Sequence, residues 1–228
     1  MEHQHKKFEQ ELSDLREKVG QMGELAIDQL RHALRDLTDH DVSNARRLIE
    51  RDASLNRLDV EIEERCLQLL ALHQPVAADL RTVAAAMKIT TELERVGDRV
   101  VNICEAIHDR EEDDAVAAHA EIAEMGSLAV TMLADSVAAF TQRDAAMARR
   151  VFATDKQFDA IYGAAFPRVI AIRTADTAKA AQEAKLAFLL RDLNEISEHA
   201  TNIAEAVIFM VAGKDPTHMD LHERRSIG

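Results

Sequence analysis

TTELERVGDRVVNI, residues Thr90–Ile103, decides how the rest of the chain is read. Taken as a helix, it carries an apolar stripe of Leu93, Val96, Val100 and Ile103 or Cys104, continued by Ile107. Beside the stripe stand two acids, Glu94 and Asp98, four residues apart and therefore neighbours on one face. A second stretch, Asn194–Ala206 (NEISEHATNIAEA), reads as a divergent copy. At an offset of 100, Asp98 pairs with Glu198, Asn102 with Asn202 and Glu105 with Glu205, while Glu94 falls opposite Asn194.

Outward from this stretch the same pattern continues. Phe8, Leu12, Leu15, Val19, Met22, Ala26, Leu30, Ala33 and Leu37 keep helical period, and Asp41 stands where a second helix needs an N-cap. That second helix runs through Leu48, Leu55, Leu58, Ile62, Cys66 and Leu69 to about His73. Pro75 suits the start of a third, which passes through the opening stretch to about Asp109. Asp109–Asp114 (DREEDD) has no apolar period and reads as a linker. The trio then repeats: at an offset of 103, Met22-Gly23 returns as Met125-Gly126, Asp41 as Asp144, Arg46-Arg47 as Arg149-Arg150 and Asp52 as Asp155. Because the third helix repeats at 100 instead, the connection before it should differ by about three residues. Pro167 falls inside the fifth helix, and Gly213 followed by Pro216 ends the sixth.

The expected fold is all-α: two tandem antiparallel three-helix bundles related by internal duplication, sharing a face. The expected units are residues 1–110 and 115–213, with a polar tail over 214–228. Composition agrees, since 7 Gly, 3 Pro and 4% aromatic residues in 228 supply few of the turns that sheets need. A net charge of −13 repels nucleic acid and anionic lipid and suits cations or basic patches on partners. The two cysteines, Cys66 and Cys104, lack CxxC spacing and read as buried residues of a reduced, cytosolic protein. The N-terminus carries no secretory signal, and the best apolar run, near Ile203–Ala212, is interrupted close by at Glu205.

Antiparallel helices joined by a short turn bring together residues whose numbers share a constant total. Asp52 with Asp98 and Asn56 with Glu94 both total 150, which centres the first turn on Pro75. Asp155 with Glu198 and Asp159 with Asn194 both total 353, which centres the second near Asp176. Each seam thus gathers three carboxylates and one amide, a cluster that repels itself unless neutralised. Oxygen-only donors suit Mg²⁺, Ca²⁺, Mn²⁺ or iron, so Asp52, Glu94, Asp98, Asp155, Asp159 and Glu198 are candidate metal ligands. His199 follows Glu198 in sequence but lies about 100° round the helix. The plainer alternative is a solvated acidic face, with Arg95, Arg99 and Arg191 near enough to neutralise part of it. No phosphate-binding loop, dinucleotide fingerprint or nucleophile elbow occurs, and no E-x-x-H pair faces another as a di-iron site would require.

These residues resemble a known family. Gln74-Pro75 followed by A-x-D-L-R at Ala77–Arg81, the ELERVGD of Glu92–Asp98, the Met-Gly of each first helix and the duplication are similar to PhoU proteins from about Phe8 to Gly213. The resemblance implies a cytosolic, non-enzymatic negative regulator of phosphate uptake and the phosphate-starvation response, often a homodimer. It implies partners in the ATPase of the high-affinity phosphate transporter and in a sensor histidine kinase. It also implies metal ions or clusters on the E-x-x-x-D faces: Glu94 and Asp98 with Asp52 first, then Asp155 and Asp159 with Glu198. In the second copy Asn194 and Glu198 replace the family's Glu and Asp, so stronger binding is expected at Glu94/Asp98. The competing readings are a metal-dependent enzyme on the carboxylates, or a structural helical scaffold.

Overall fold

The computed structural model describes residues 2–39, 42–108, 120–171 and 176–213, with side chains from 6–39, 53–107, 120–171, 176–177 and 179–213. Among the described residues there are six α-helices and no strand: α1 Glu2–Asp39, α2 Val42–His73, α3 Ala77–His108, α4 Ala120–Gln142, α5 Ala145–Ile170 and α6 Thr177–Ala212. All nine apolar positions expected along α1, from Phe8 to Leu37, are buried, as are Leu93, Val96, Val100, Ile103, Cys104 and Ile107 on α3. The 3.6-residue period therefore places a continuous stripe on each helix, and each fully buried aliphatic side chain stabilises the fold by about 1.5–3 kcal/mol.

Helices α1–α3 form one bundle and α4–α6 another, joined face to face through α1 on α4 and α3 on α6. The outer helices stay with their own halves: α2 packs on α1 and α3, α5 on α4 and α6. The Met-Gly pairs lie where α1 and α4 approach. A Cβ on Gly23 would stand 2.5 Å from Val137 Cγ1, and one on Gly126 would stand 2.8 Å from Leu34 Cδ2. Leu34 and Val137 are themselves 103 residues apart, so each half's glycine admits the other half's equivalent side chain. The duplication thus appears in space as an internal pseudo-two-fold axis.

The connections show how the halves differ. Gln74 (φ 47°) and Ala77 (φ 49°) reverse the chain around Pro75 in three residues, 74–76. Six residues, 171–176, separate α5 from α6, and α5 has 26 residues against the 32 of α2. The offsets require helix and connection together to be three residues shorter in the second half, and they are, but the connection itself is three residues longer and the helix before it six shorter. Asp144 caps α5 by accepting from the N–H groups of Ala146 (2.8 Å) and Met147 (3.0 Å). Its counterpart Asp41, the linker 109–114 and the tail 214–228 lie outside the described residues. Gly213, at φ 69°, closes α6 with its N–H on Phe209 O.

One helix departs from the hydropathy reading. By length and composition alone α4 could cross a membrane, yet half of its most apolar window is buried. Ile122, Met125, Ala129, Met132 and Leu133 are all core residues, so its apolar character comes from packing against both α6 and α1.

Candidate functional site

Two polar assemblies stand out, one between the halves and one in the outer seams. The first is centred on two buried carboxylates, Glu92 (5% exposed) on α3 and Asp192 (3%) on α6. His199 Nδ1 lies 2.7 Å from Glu92 Oε2, Asn202 Nδ2 donates to the same oxygen at 3.1 Å, and Arg95 stands 3.7 Å from Oε1. Across the axis Asn102 Nδ2 donates to Asp192 Oδ1 at 3.4 Å, and Arg99 Nη1 stands 3.7 Å from it and 3.0 Å from Glu195. Glu92 matches Asp192, Arg99 matches His199 and Asn102 matches Asn202, each at an offset of 100. Burial pushes both carboxyls up. For Glu92 the bonds from His199 and Asn202 and the charges of His199 and Arg95 outweigh it, leaving that carboxyl below its ordinary value. The longer contacts to Asn102 and Arg99 do not offset burial at Asp192, whose carboxyl stays raised. Glu92 and Asp192 were not among the residues expected from sequence; the offset that paired Asn102 with Asn202 is the signal that finds them.

The second assembly is the acid seams, and the structure places the expected residues as follows. On α5 and α6, Asp159 and Glu198 each stand within electrostatic reach of Asp155. Burial first, then the Asp159 and Glu198 carboxylates, push Asp155 up to about 6, against the opposing contact from Thr201 Oγ1 at 3.4 Å. Asn194 Nδ2 donates to Glu198 Oε1 at 2.7 Å, so the amide that replaces a carboxylate here is spent on its i+4 neighbour. On α3, Glu94 is half-buried and Asp98 exposed, while Asp52, meant to face them from α2, has its side chain outside the described residues. Further along that seam, Asp59, Glu63, Met87, Thr90 and Thr91 line a recess of about 140 Å³. Asp59 with Thr91 and Glu63 with Met87 again total 150, and burial with the Glu63 charge raises the Asp59 carboxyl. Carrying the register two turns further along α2 would have found this acid pair.

Among the described residues no group of three or more His, Cys, Asp or Glu side chains is gathered closely enough to hold a metal ion as they stand. The donor chemistry nonetheless fits a hard cation: the second seam offers carboxylate and amide oxygens, and Asp155 is short of counter-charge. The arginines point elsewhere, Arg99 and Arg191 to Glu195 and Arg95 to Glu92. His199 faces Glu92 across the central interface. His73 ends α2 beside Glu11 (2.7 Å) and the ring of Phe8. Both thiols are buried in the core and pushed up to about 12 by that burial.

Comparison with known proteins follows the same division into halves. The family model described as the PhoU domain matches residues 19–107 and again 122–207. A Pseudomonas aeruginosa protein named as a phosphate-specific transport system accessory protein PhoU homolog is 33% identical over 96% of this chain and 91% of its own. The crystal structure of PhoU from Pseudomonas aeruginosa superposes with a TM-score of 0.83 at 31% identity, covering 91% of this chain and all of that one. That of the phosphate transport system regulatory protein PhoU from Streptococcus pneumoniae gives 0.84 at 28% identity, over 94% of this chain and 100% of that chain.

Proposed function

The chain belongs to the PhoU family, and from that premise we propose that it is a non-enzymatic adaptor that restrains phosphate uptake and the phosphate-starvation response. Its role is accessory to phosphate transport. In this reading it works in the cytosol, as a homodimer, between the ATPase of the high-affinity phosphate transporter and a sensor histidine kinase. Hard metal ions would be held by Glu94 and Asp98 with Asp52 in one seam, and by Asp155, Asp159 and Glu198 in the other; bound there, they would neutralise crowded carboxylates.

The observation that carries the reading is the span of the homology: both repeats match, and the resemblance to a named accessory protein runs over 96% of the chain. A non-catalytic role is further supported by where the acids lie. They flank the apolar stripe on outward seams, whereas catalysis asks for a concave site that excludes water. Deletion of the gene tests the reading. Starvation genes should switch on despite ample phosphate, and a deletion strain that keeps normal repression would overturn it.

A further inference from the structure

Where α1 crosses α4, the internal axis leaves a groove on each side. One, of about 410 Å³, lies between the C-terminal half of α1 and the first turns of α4. The other is its equivalent at an offset of 103. The floors stay alike: Leu34 and Val130 in the first answer to Val137 and Ile27 in the second. The walls do not. The first sets Arg31 and Arg35 of α1 opposite Ser127 and Thr131 of α4, whereas the second has Ala134 and Ala138 opposite Glu24 and Asp28. Two copies of one groove have thus taken opposite charge at their solvent-facing positions.

The arginines of the first groove lack counter-charge. Among the described residues neither Arg31 nor Arg35 has an ion pair or hydrogen bond, and no carboxylate lines the groove they share. Arg31 stands on the ridge and lines both grooves, but Asp28 is turned instead to His32 Nδ1, 3.4 Å away. Two cations at i and i+4 repel each other until an anion joins them. Thr131 Oγ1 donates to Ser127 O (2.9 Å) and Thr38 Oγ1 to Leu34 O (3.0 Å), so the groove's donors are the two guanidiniums and the Ser127 hydroxyl. Beneath them the floor reaches the core at Leu37 and Ile122, which are 2% and 3% exposed.

We propose that this groove binds a nucleotide, with its phosphoryl oxygens on Arg31, Arg35 and Ser127 and its base on the floor of Leu34, Leu37, Ile122 and Val130. Guanidinium forks match phosphoryl oxygens bidentately. The volume falls within the range of organic-ligand sites, about 300–1,000 Å³, and far exceeds what inorganic phosphate fills. An apolar floor rewards a flat ring and does nothing for a bare anion. The chain's net charge of −13 opposes any anion at long range, yet at about 0.15 M salt charges beyond about 8 Å are largely screened, which leaves the local arginines in control. The groove lies on α1 and α4, apart from both acid seams, and its chemistry does not depend on the adaptor reading.

Calorimetric titration of the full chain with ATP, inorganic phosphate and adenosine tests this, in chelator so that metal ions on the acid seams cannot recruit the phosphates. ATP should bind at least about tenfold tighter than either fragment. Arg31→Ala/Arg35→Ala should weaken ATP by about tenfold or more. Ser127→Glu/Thr131→Asp should do the same; it installs the other groove's residues at exposed positions, and circular dichroism should show it folded. Glu24→Ser/Asp28→Thr should not weaken binding. Absence of ATP binding at millimolar concentration, or wild-type binding by the arginine variant, overturns the proposal. Inorganic phosphate that binds as tightly as ATP would make the groove a free-anion site, and adenosine that does so would make it an apolar cleft; either result overturns the nucleotide assignment. So does sedimentation showing that Arg31→Ala/Arg35→Ala splits a dimer, since a second copy would then cover the arginines.

Discussion

Glu92 and Asp192 hold equivalent places in α3 and α6, and each carboxylate accepts a hydrogen bond from the other half's asparagine, at 3.1 Å from Asn202 and 3.4 Å from Asn102. Such reciprocity is what a two-fold axis between two identical subunits produces, written here into one chain. It is not evenly strong, because His199 closes on Glu92 at 2.7 Å whereas Arg99 divides itself between Asp192 and Glu195.

Glu92→Ala should therefore destabilise the fold by about 2–4 kcal/mol, since it leaves buried donors unpaired. Asp192→Asn should be close to neutral, because that carboxyl is already raised. Urea unfolding measures both. The sign with pH follows from the lowered Glu92 value: its contribution is present above the ordinary 4.5 and is lost as pH falls through the folded value. Wild type and Glu92→Gln should thus converge in acid; a gap that widens there would contradict the assignment.

The two crossing glycines should respond unequally to alanine. At Gly23 the new methyl meets Val137, whose branched Cβ is also only 3.2 Å away and cannot swing aside. At Gly126 it meets mainly the far end of Leu34, which can move. Alanine gains about 1 kcal/mol of helix propensity at either place. Gly126→Ala should then be near neutral and Gly23→Ala destabilising by about 1–2 kcal/mol. Adding Val137→Ala should recover part of that loss in thermal denaturation. Equal effects at the two glycines would mean the crossing does not depend on close approach.

Asp155 gives a pH signature of opposite sign. Its folded value, about 6, lies above the ordinary 3.8, so its effect on stability is most favourable below 3.8 and declines as pH rises through about 6. In chelator, Asp155→Asn should raise the melting temperature at pH 7.5 and leave it nearly unchanged at pH 4. Direct titration by NMR of the carboxyl carbon should fall toward the usual range in Asp159→Asn.

Metal content should separate the two seams. Elemental analysis after chelation and reloading should find more metal on the wild type than on the Glu94→Ala/Asp98→Ala double variant, and a smaller loss in Glu198→Ala. If the double variant keeps the wild-type content, Glu94 and Asp98 are not ligands.

Much of this architecture was legible in the residues. The stripe from Phe8 to Leu37 and the paired totals of 150 and 353 locate helices and turns, because helical period and hairpin register are local rules. The meeting of the two halves was not. Glu92 and His199 are 107 residues apart, and each sits beside a more conspicuous acid, Glu94 or Glu198, that draws attention to the outer seam. A helix presents polar groups on several sides, and only tertiary contact decides which side is buried. The Met-Gly pairs were visible as a repeat, yet their purpose needed the crossing of α1 with α4.

The peripheral position of α2 and α5 has an evolutionary corollary. A substitution in the central four helices must satisfy both copies at once, whereas one on an outer helix answers only to its own half. After a gene doubles, these flanks are where the twins can specialise, and the carboxylates of Asp59 and Glu63 set against the rings of Tyr162 and Phe166 record that divergence.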